Sequence, residues 1–461
     1  MTADQPPIAG ERRDLRRGAL QLLGGSGVRI FARVLLITFV ARMYGIEDFG
    51  RMGETVAMIE LLATLATFGL SKTLLGKLGG ENGDDDDVGR HIVNAAVLAG
   101  TLSTVLVVVL WISWPLFASA DLAGFQFVLL GIPLIALAEV ATTATRHFRT
   151  AFWDMFVKAF VRPWSFLLLS VAAYFGLIGA SLPSGQIVTS QMALLSSYVL
   201  SLLLTAGAAI FALKRAFGAH FFKRSGKPIG KSVIDLAKLS WPTALNDTGL
   251  FAFRRIDVII LAVVAGPAET AVYYMARQIS TVIEKVRHLY EPVLAPIIAQ
   301  SKSLETIGSH LARLGLLIFA VQLLALCLLA VFGGTLLSWL GAGFATGLLV
   351  LLVILIGELF DGGFGLCELP MVYRNPAWPP RLVLASLALE IGLVWILAQK
   401  FGALGAAIGF AISMFALAAM RLWMVRSLYG FKVLSIKHVA LVVIAVVALF
   451  LINLVWPLSF L

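Results

Sequence analysis

The sequence predicts an all-α polytopic membrane protein of about 13 transmembrane helices, arranged as two parallel six-helix lobes around a central cavity. Three observations lead there. First, 59% of the 461 residues are hydrophobic and only 13% charged, with a mean hydropathy of +0.93. Soluble domains average about 45–50% apolar and about 25% charged residues, so the excess points to lipid as the solvent. Second, apolar runs long enough to cross a bilayer recur along the chain, and a crossing needs about 20 residues. Third, two short motifs repeat at almost the same separation. This composition excludes soluble enzymes, nucleic-acid binders and disordered chains.

The runs predict spans at 19–44, 52–78, 89–117, 123–147, 153–178, 187–213, 236–265, 270–298, 304–332, 346–373, 378–400, 403–428 and 436–458. None shows the ten-residue alternation of a membrane β-barrel. The first 18 residues are polar and basic and lack an apolar core, so no cleavable signal peptide is expected. Cys327 and Cys367 both sit in apolar runs and imply no disulfide framework.

The net charge of +10 reads as membrane topology rather than nucleic-acid binding. Basic residues gather at Arg12, Arg13, Arg16 and Arg17, and in the connections after the second, fourth, sixth, tenth and twelfth spans. The loops near 118–122, 179–186, 266–269 and 333–345 contain no Lys or Arg. Positive charge stays inside, so the N-terminus and the even-numbered connections are expected to be cytoplasmic.

The longest of these connections divides the chain. The expected organisation is a basic cytoplasmic N-terminus (1–18), an N-terminal six-helix lobe (19–213), a cytoplasmic linker (214–235), a C-terminal six-helix lobe (236–428) and an extra helix (429–461). Tyr44-Gly45-Ile46 follows the first span and Ala265-Gly266-Pro267 follows the seventh, a separation of 221 residues. Phe175-Gly176 through Gly179-Ala180 matches Phe401-Gly402 through Gly405-Ala406, 226 residues apart. An even number of helices per half gives both halves one orientation, a parallel repeat with a substrate site expected at the repeat interface.

Charges inside spans are costly and are functional candidates by default. Arg29 and Arg33 lie one turn apart in the first span, and Arg33 maps onto Arg254 at the repeat separation. The seventh span adds Arg255 and Asp257; the eighth adds Arg277, Glu284, Arg287 and His288. Glu54 and Glu60 lie in the second span, and Glu358, Asp361 and Glu368 flank glycines in the tenth. The functional reading is a hydrated cavity in which arginines fork onto the oxygens of an anionic group. The structural alternative pairs Arg254 with Asp257 and Glu284 with His288, at helical contact spacing. The cavity reading is favoured for Arg33 and Arg254, and the two readings stand level for Arg29, Arg255 and Arg277. Snorkelling to an interface is favoured for Arg287, His288, Asp154, Lys158 and Arg162.

Other signals are weaker. The acidic run Asp84–Asp87 reads as a solvated loop without the alternate-residue ligand spacing of a calcium site. His91, His220 and His438 are scattered, and there is no HExxH, CxxC or P-loop, so no metal, cofactor or nucleotide is expected. Trp111, Trp114 and Trp456 read as aromatic-belt residues.

The stretch from Leu35 to Leu75 carries Ala41-Arg42-Met43-Tyr44-Gly45-Ile46-Glu47-Asp48-Phe49-Gly50 and Ala66-Thr67-Phe68-Gly69-Leu70-Ser71. With Gly402-Ala403-Leu404-Gly405-Ala406-Ala407, it resembles the polysaccharide-biosynthesis transporters, the Wzx-type lipid-linked oligosaccharide flippases of the multidrug/oligosaccharidyl-lipid/polysaccharide (MOP) exporter superfamily. The resemblance covers nearly the whole chain in length, topology and repeat. It implies an inner-membrane flippase, not an enzyme, that works by alternating access. The implied substrate is an undecaprenyl-diphosphate-linked oligosaccharide, moved to the periplasmic leaflet for O-antigen, capsule or exopolysaccharide assembly. Arg33, Arg254 and Arg277 match the placement of the family's arginines in helices one, seven and eight.

On this reading the substrate-binding candidates are Arg29, Arg33, Arg254, Arg255 and Arg277, with Asp257 and Glu284 as candidates for ion coupling. The expected partners are the lipid-linked oligosaccharide diphosphate, the bilayer, a polysaccharide polymerase and glycosyltransferases; nucleic acid is not among them. The thirteenth span departs from the family's twelve or fourteen. The rivals are a multidrug or metabolite antiporter of the same superfamily, a membrane polymerase or ligase, and a scaffold for a glycosyltransferase.

Overall fold

The computed structural model describes residues 27–78, 85–117, 126–148, 152–178, 188–218, 230–300 and 303–455. The N-terminal basic cluster, the loops near 118–122 and 179–186, most of the 214–235 linker with His220, Asp84, the Gly179-Ala180 half of one repeat match and Trp456 lie outside these residues. All regular structure among the described residues is helical. Eight helices are long and apolar enough to cross a membrane, and two shorter apolar helices join them. The protein is therefore a multi-pass membrane protein.

Two compact units form. The first comprises residues up to Tyr44 and Met58–Thr248; the second comprises Gly45–Ala57 and Gly249 onward.

The first unit contains α1 (27–43) and the C-terminal part of α2 (Ile46–Thr67). It continues through α3 (Leu70–Leu78), α4 (Asp85–Phe117), α5 (Gly131–Thr145) and α6 (Phe152–Gly176) to α7 (Ser190–Phe217) and most of α8 (Gly230–Ala252). The predicted span 52–78 is split between α2 and α3, because Phe68 and Gly69 take φ values of 53° and 68°. Lipid offers no hydrophobic drive for helices to associate, so contact depends on close packing of small side chains. On α7, Ala193, Ser197, Ser201, Thr205 and Ala209 recur every four residues, and all are buried. The Ser197 and Thr205 hydroxyls donate to the carbonyls of Ala193 and Ser201, each at 2.7 Å. These back-bonds satisfy the hydroxyls inside their own helix. The opposite character appears on α4, where Val105, Val108, Val109, Trp111 and Ile112 are exposed to the surroundings that lipid fills.

The second unit contains the start of α2, then α9 (Ile256–Ala265), α10 (Pro267–Gln300), α11 (Leu304–Leu340), α12 (Leu348–Phe364), α13 (Glu368–Arg374), α14 (Trp378–Tyr429) and α15 (Ile436–Val455). α12 is apolar nearly all round, as a helix buried in the centre of a unit must be. Within Trp378–Tyr429 the predicted spans 378–400 and 403–428 remain two helices: Gly402, with φ and ψ of 54° and −134°, is not helical, and Gly405 and Gly409 close on the backbone of Leu397 and Val394, so the chain folds back there. The Glu269 carboxylate accepts the freed Ala403 N–H at 2.7 Å, so the bend leaves that donor satisfied. The span expected to end at 332 runs on to Leu340, which takes up most of the expected outer loop near 333–345, and a 3₁₀ turn follows over Ala342–Gly347.

The first repeat match has a conformational counterpart. Gly45 and Gly266 have φ values of 90° and 84°, and each is followed at once by a helix. That turn needs a residue free of a Cβ at positive φ, which explains a glycine at both places.

Candidate functional site

The predicted span 236–265 is not one helix. α8 ends at Ala252, α9 begins at Ile256, and Phe253, Arg254 and Arg255 form a turn between them. A break within a span exposes backbone groups that lipid cannot satisfy. Here they find protein partners. The Arg254 and Arg255 N–H groups donate to the Phe251 and Ala252 carbonyls at 3.1 and 2.9 Å. Arg277 donates to the Arg254 carbonyl at 3.2 Å. The Asp257 carboxylate accepts the Val258 N–H at 2.8 Å, capping the start of α9.

The second unit draws its intramembrane charges into one cluster around this break. Arg277 is buried between Asp257 at 3.3 Å and Glu358 at 3.0 Å, and its guanidinium lies 4.1 Å from the centre of the Phe410 ring. Asp257 also accepts the Tyr273 hydroxyl at 2.5 Å. Arg254 reaches Glu284 at 2.7 Å and Asp361 at 3.4 Å. Asp361 is further contacted by Arg287 at 3.1 Å and Arg421 at 2.7 Å, and Arg421 pairs with Glu368 as well. Glu284 and His288 meet at 3.2 Å, as their spacing suggested, with Glu291 on the other ring nitrogen. Asp257 serves Arg277 rather than Arg254, contrary to the sequence spacing. Because the helix breaks at 253–255, Arg254 and Asp257 do not share one helical face. Arg287, expected at the interface, is buried in the cluster.

Among the described residues this network holds six carboxylates (Asp257, Glu284, Glu291, Glu358, Asp361, Glu368) against four arginines. Glu390 on α14 is fully buried, and neither of its oxygens has a hydrogen-bond partner among the described residues. This cluster is thus richer in carboxylates than in arginines where arginine excess was expected. Arg255 lies 5.7 Å from the Phe251 ring.

The first unit differs. Arg29 is exposed and Arg33 half-buried on α1, and neither makes an ion pair or hydrogen bond among the described residues. Phe31 packs on Trp164 with ring centres 6.4 Å apart, and the Tyr44 hydroxyl donates to the Ser170 carbonyl at 2.7 Å. These contacts run α1 in the same direction as α6, with its arginines level with the first half of that helix.

Reasoning from the sequence did not single out Arg421 or Glu390, and it left Glu358 and Asp361 without partners. The signal for the first two was there: each is an ionisable residue inside an apolar run.

Helix-only architecture among the described residues and long apolar helices define a polytopic membrane protein. The polysaccharide biosynthesis protein family matches residues 15–302, and the chain belongs to that family. No curated protein matches it. Among solved structures the chain is similar to the lipid II flippase MurJ in an inward closed conformation, with a TM-score of 0.74 at 13% identity, covering 94% of this chain and 93% of that one. It is also similar to an inward-facing multidrug resistance MATE family transporter of the MOP superfamily, with a TM-score of 0.70 at 12% identity and 87% and 94% coverage. The MATE multidrug transporter DinF-BH gives 0.57 at 17% identity, covering 94% and 100%. These likenesses show that the chain shares the fold of the MurJ and MATE structures.

Proposed function

We propose that the protein is an inner-membrane flippase that moves an undecaprenyl-diphosphate-linked oligosaccharide from the cytoplasmic to the periplasmic leaflet for surface polysaccharide assembly. The observation that carries this reading, beside the family, is Arg33: a half-buried guanidinium within a span with no protein anion paired to it among the described residues. An unpaired arginine at a helix centre costs at least about 2.5–3.5 kcal/mol. A ligand phosphate offsets that cost by accepting forked, charge-assisted hydrogen bonds. Arg29 and Arg33 are the first unit's candidates for holding the diphosphate. Arg254 and Arg277, each held between two carboxylates, organise the acid-rich cluster in which Asp257 and Glu284 are the candidates for ion coupling. The N-terminus is cytoplasmic, polymerase and glycosyltransferases are the expected neighbours in assembly, and no step requires covalent catalysis.

The excess of carboxylates over arginines in the second unit's cluster favours one rival, a cation-coupled drug exporter. A deletion strain separates the two. Under the flippase reading, lipid-linked sugar is made normally but stays on the cytoplasmic face, and drug susceptibility does not change. Normal surface polysaccharide together with heightened drug sensitivity would support the exporter instead. In the same strain, Asp257→Asn made at normal level should restore translocation without its dependence on the ion gradient. Unaltered gradient dependence would remove Asp257 from coupling.

A further inference from the structure

The charge cluster of the second unit opens at one end. Glu284, His288 and Glu291 follow one another on α10 at spacings of four and three, which puts them on one face. His288 Nε2 meets a Glu284 oxygen at 3.2 Å, and Nδ1 meets a Glu291 oxygen at 3.2 Å. The three side chains are 10%, 36% and 38% exposed in that order, so access from outside grows toward Glu291. α10 starts at Pro267, and Glu291 lies about 36 Å along it at 1.5 Å per residue. The hydrocarbon core is about 30 Å thick, so the open end falls at the far interface. On the positive-inside orientation that end is cytoplasmic.

These contacts fix a number of protons. A neutral imidazole has one N–H and one lone pair, and an ionised carboxylate can only accept. Between two ionised carboxylates, a neutral ring satisfies one and turns a lone pair toward the other. Two hydrogen bonds therefore need two protons, one more than a neutral ring supplies. The extra proton sits on the ring or on either carboxyl. A metal ion does not take its place: the ring itself fills the gap between the carboxylates, and among the described residues no three His, Cys, Asp or Glu side chains are placed to hold one. The shortage of protons continues inward. Glu358 is 1% exposed, has one oxygen without a hydrogen-bond partner among the described residues, and lies within electrostatic reach of Glu284.

We propose that Glu284, His288 and Glu291 form a proton site that exchanges with the cytoplasmic side, and that Arg254 reads its state. This rests on the ion-coupling part of the flippase reading and names the ion. Histidine suits the task because its two nitrogens take and give a proton near neutral pH. Inward transfer moves the proton from His288 Nε2 to Glu284: the N–H bond breaks, an O–H bond forms, and the ring keeps the N–H that faces Glu291. Glu284 is then neutral and no longer balances Arg254, which it meets at 2.7 Å. Arg254 sits in the turn between α8 and α9, so the proton acts where the span is broken. Release runs the other way. The ring takes the proton back at Nε2 and gives the one at Nδ1 to Glu291, which passes it to water. The other charged groups within reach of the three are Arg287 and Lys285 on α10 and Asp361 on α12, itself held by Arg421 of α14.

Nitrogen NMR of the histidine rings, paired with infrared difference spectra of the carboxyl groups, tests the site on the purified full-length protein without substrate. His288→Gln assigns the ring signal among the six histidines. At neutral pH the wild type should show one extra proton, as a ring protonated on both nitrogens or as a protonated carboxyl that disappears in His288→Gln. In Glu291→Gln the new amide donates to the ring's lone pair, so the extra proton is no longer needed and should be lost. Glu291 is half-exposed, so the thermal midpoint of that variant should stay near wild type. In liposomes holding a lipid-linked oligosaccharide, wild-type translocation should respond to a pH gradient and not to a sodium gradient. Both variants should lose that response. A neutral ring between two ionised carboxylates, a full pH-gradient response in both folded variants, or a wild type driven by sodium alone would overturn the site. A wild type that translocates but has a neutral ring sinks this inference alone. One that holds the extra proton but moves no lipid-linked sugar sinks the flippase reading and leaves the proton site standing.

Discussion

Replacing Arg277 by Ala is expected to leave little folded protein. Arg277 is 6% exposed, and its guanidinium lies between Asp257 and Glu358, neither of which has another cation within pairing distance among the described residues. Removing the cation strands two buried carboxylates and the Arg254 carbonyl, and it removes the contact with Phe410. Breaking one side of a buried ion pair costs about 3–5 kcal/mol. For a unit of this size that corresponds to a fall in thermal midpoint of roughly 10 °C. Thermal unfolding in detergent and the yield of monodisperse protein measure it. Arg277→Lys should recover only part of the loss, because one ammonium does not reproduce the fork across both carboxylates. A normal yield and midpoint for Arg277→Ala would show that water already reaches the cluster.

Arg33→Ala is expected to do the opposite. No protein carboxylate among the described residues depends on Arg33, so yield and midpoint should stay near wild type. Translocation should fall about 10- to 100-fold, the equivalent of losing hydrogen bonds to a charged group worth about 1.5–3 kcal/mol. Arg33→Lys keeps the charge without the fork and should fall between. Arg33 and Arg254 occupy matching places in the repeat, yet the structure separates them: one lacks a protein counter-charge among the described residues, the other has two. Full translocation by a well-folded Arg33→Ala protein would remove Arg33 from substrate binding.

What the sequence makes legible follows from what its patterns measure. Apolar runs report burial in lipid, so the membrane-spanning character of the chain and nearly all its spans were readable. The glycine repeat was readable because positive φ leaves few residue choices at Gly45 and Gly266. The break at 253–255 was not, since Phe253 and the flanking apolar residues continue the run across it. Ion partners were readable only along one helix. Glu284 and His288 are four apart and do meet. Arg277 with Glu358, Arg254 with Asp361 and Arg421 with Asp361 join residues 81, 107 and 60 positions apart, and helical periodicity carries no information at that range. The excess of carboxylates over arginines in this cluster emerged only once those partners were brought together.

The proposed activity is carriage of a polyprenyl-diphosphate sugar across a bilayer. The most direct measurement places the purified protein in liposomes with a labelled undecaprenyl-diphosphate-linked oligosaccharide and follows how much label an external glycosidase can reach over time. The account predicts that label from the inner leaflet becomes accessible with wild-type protein and far more slowly with Arg33→Ala. Protein-free rates for wild type that is folded and correctly inserted, with an ion gradient supplied, would contradict it.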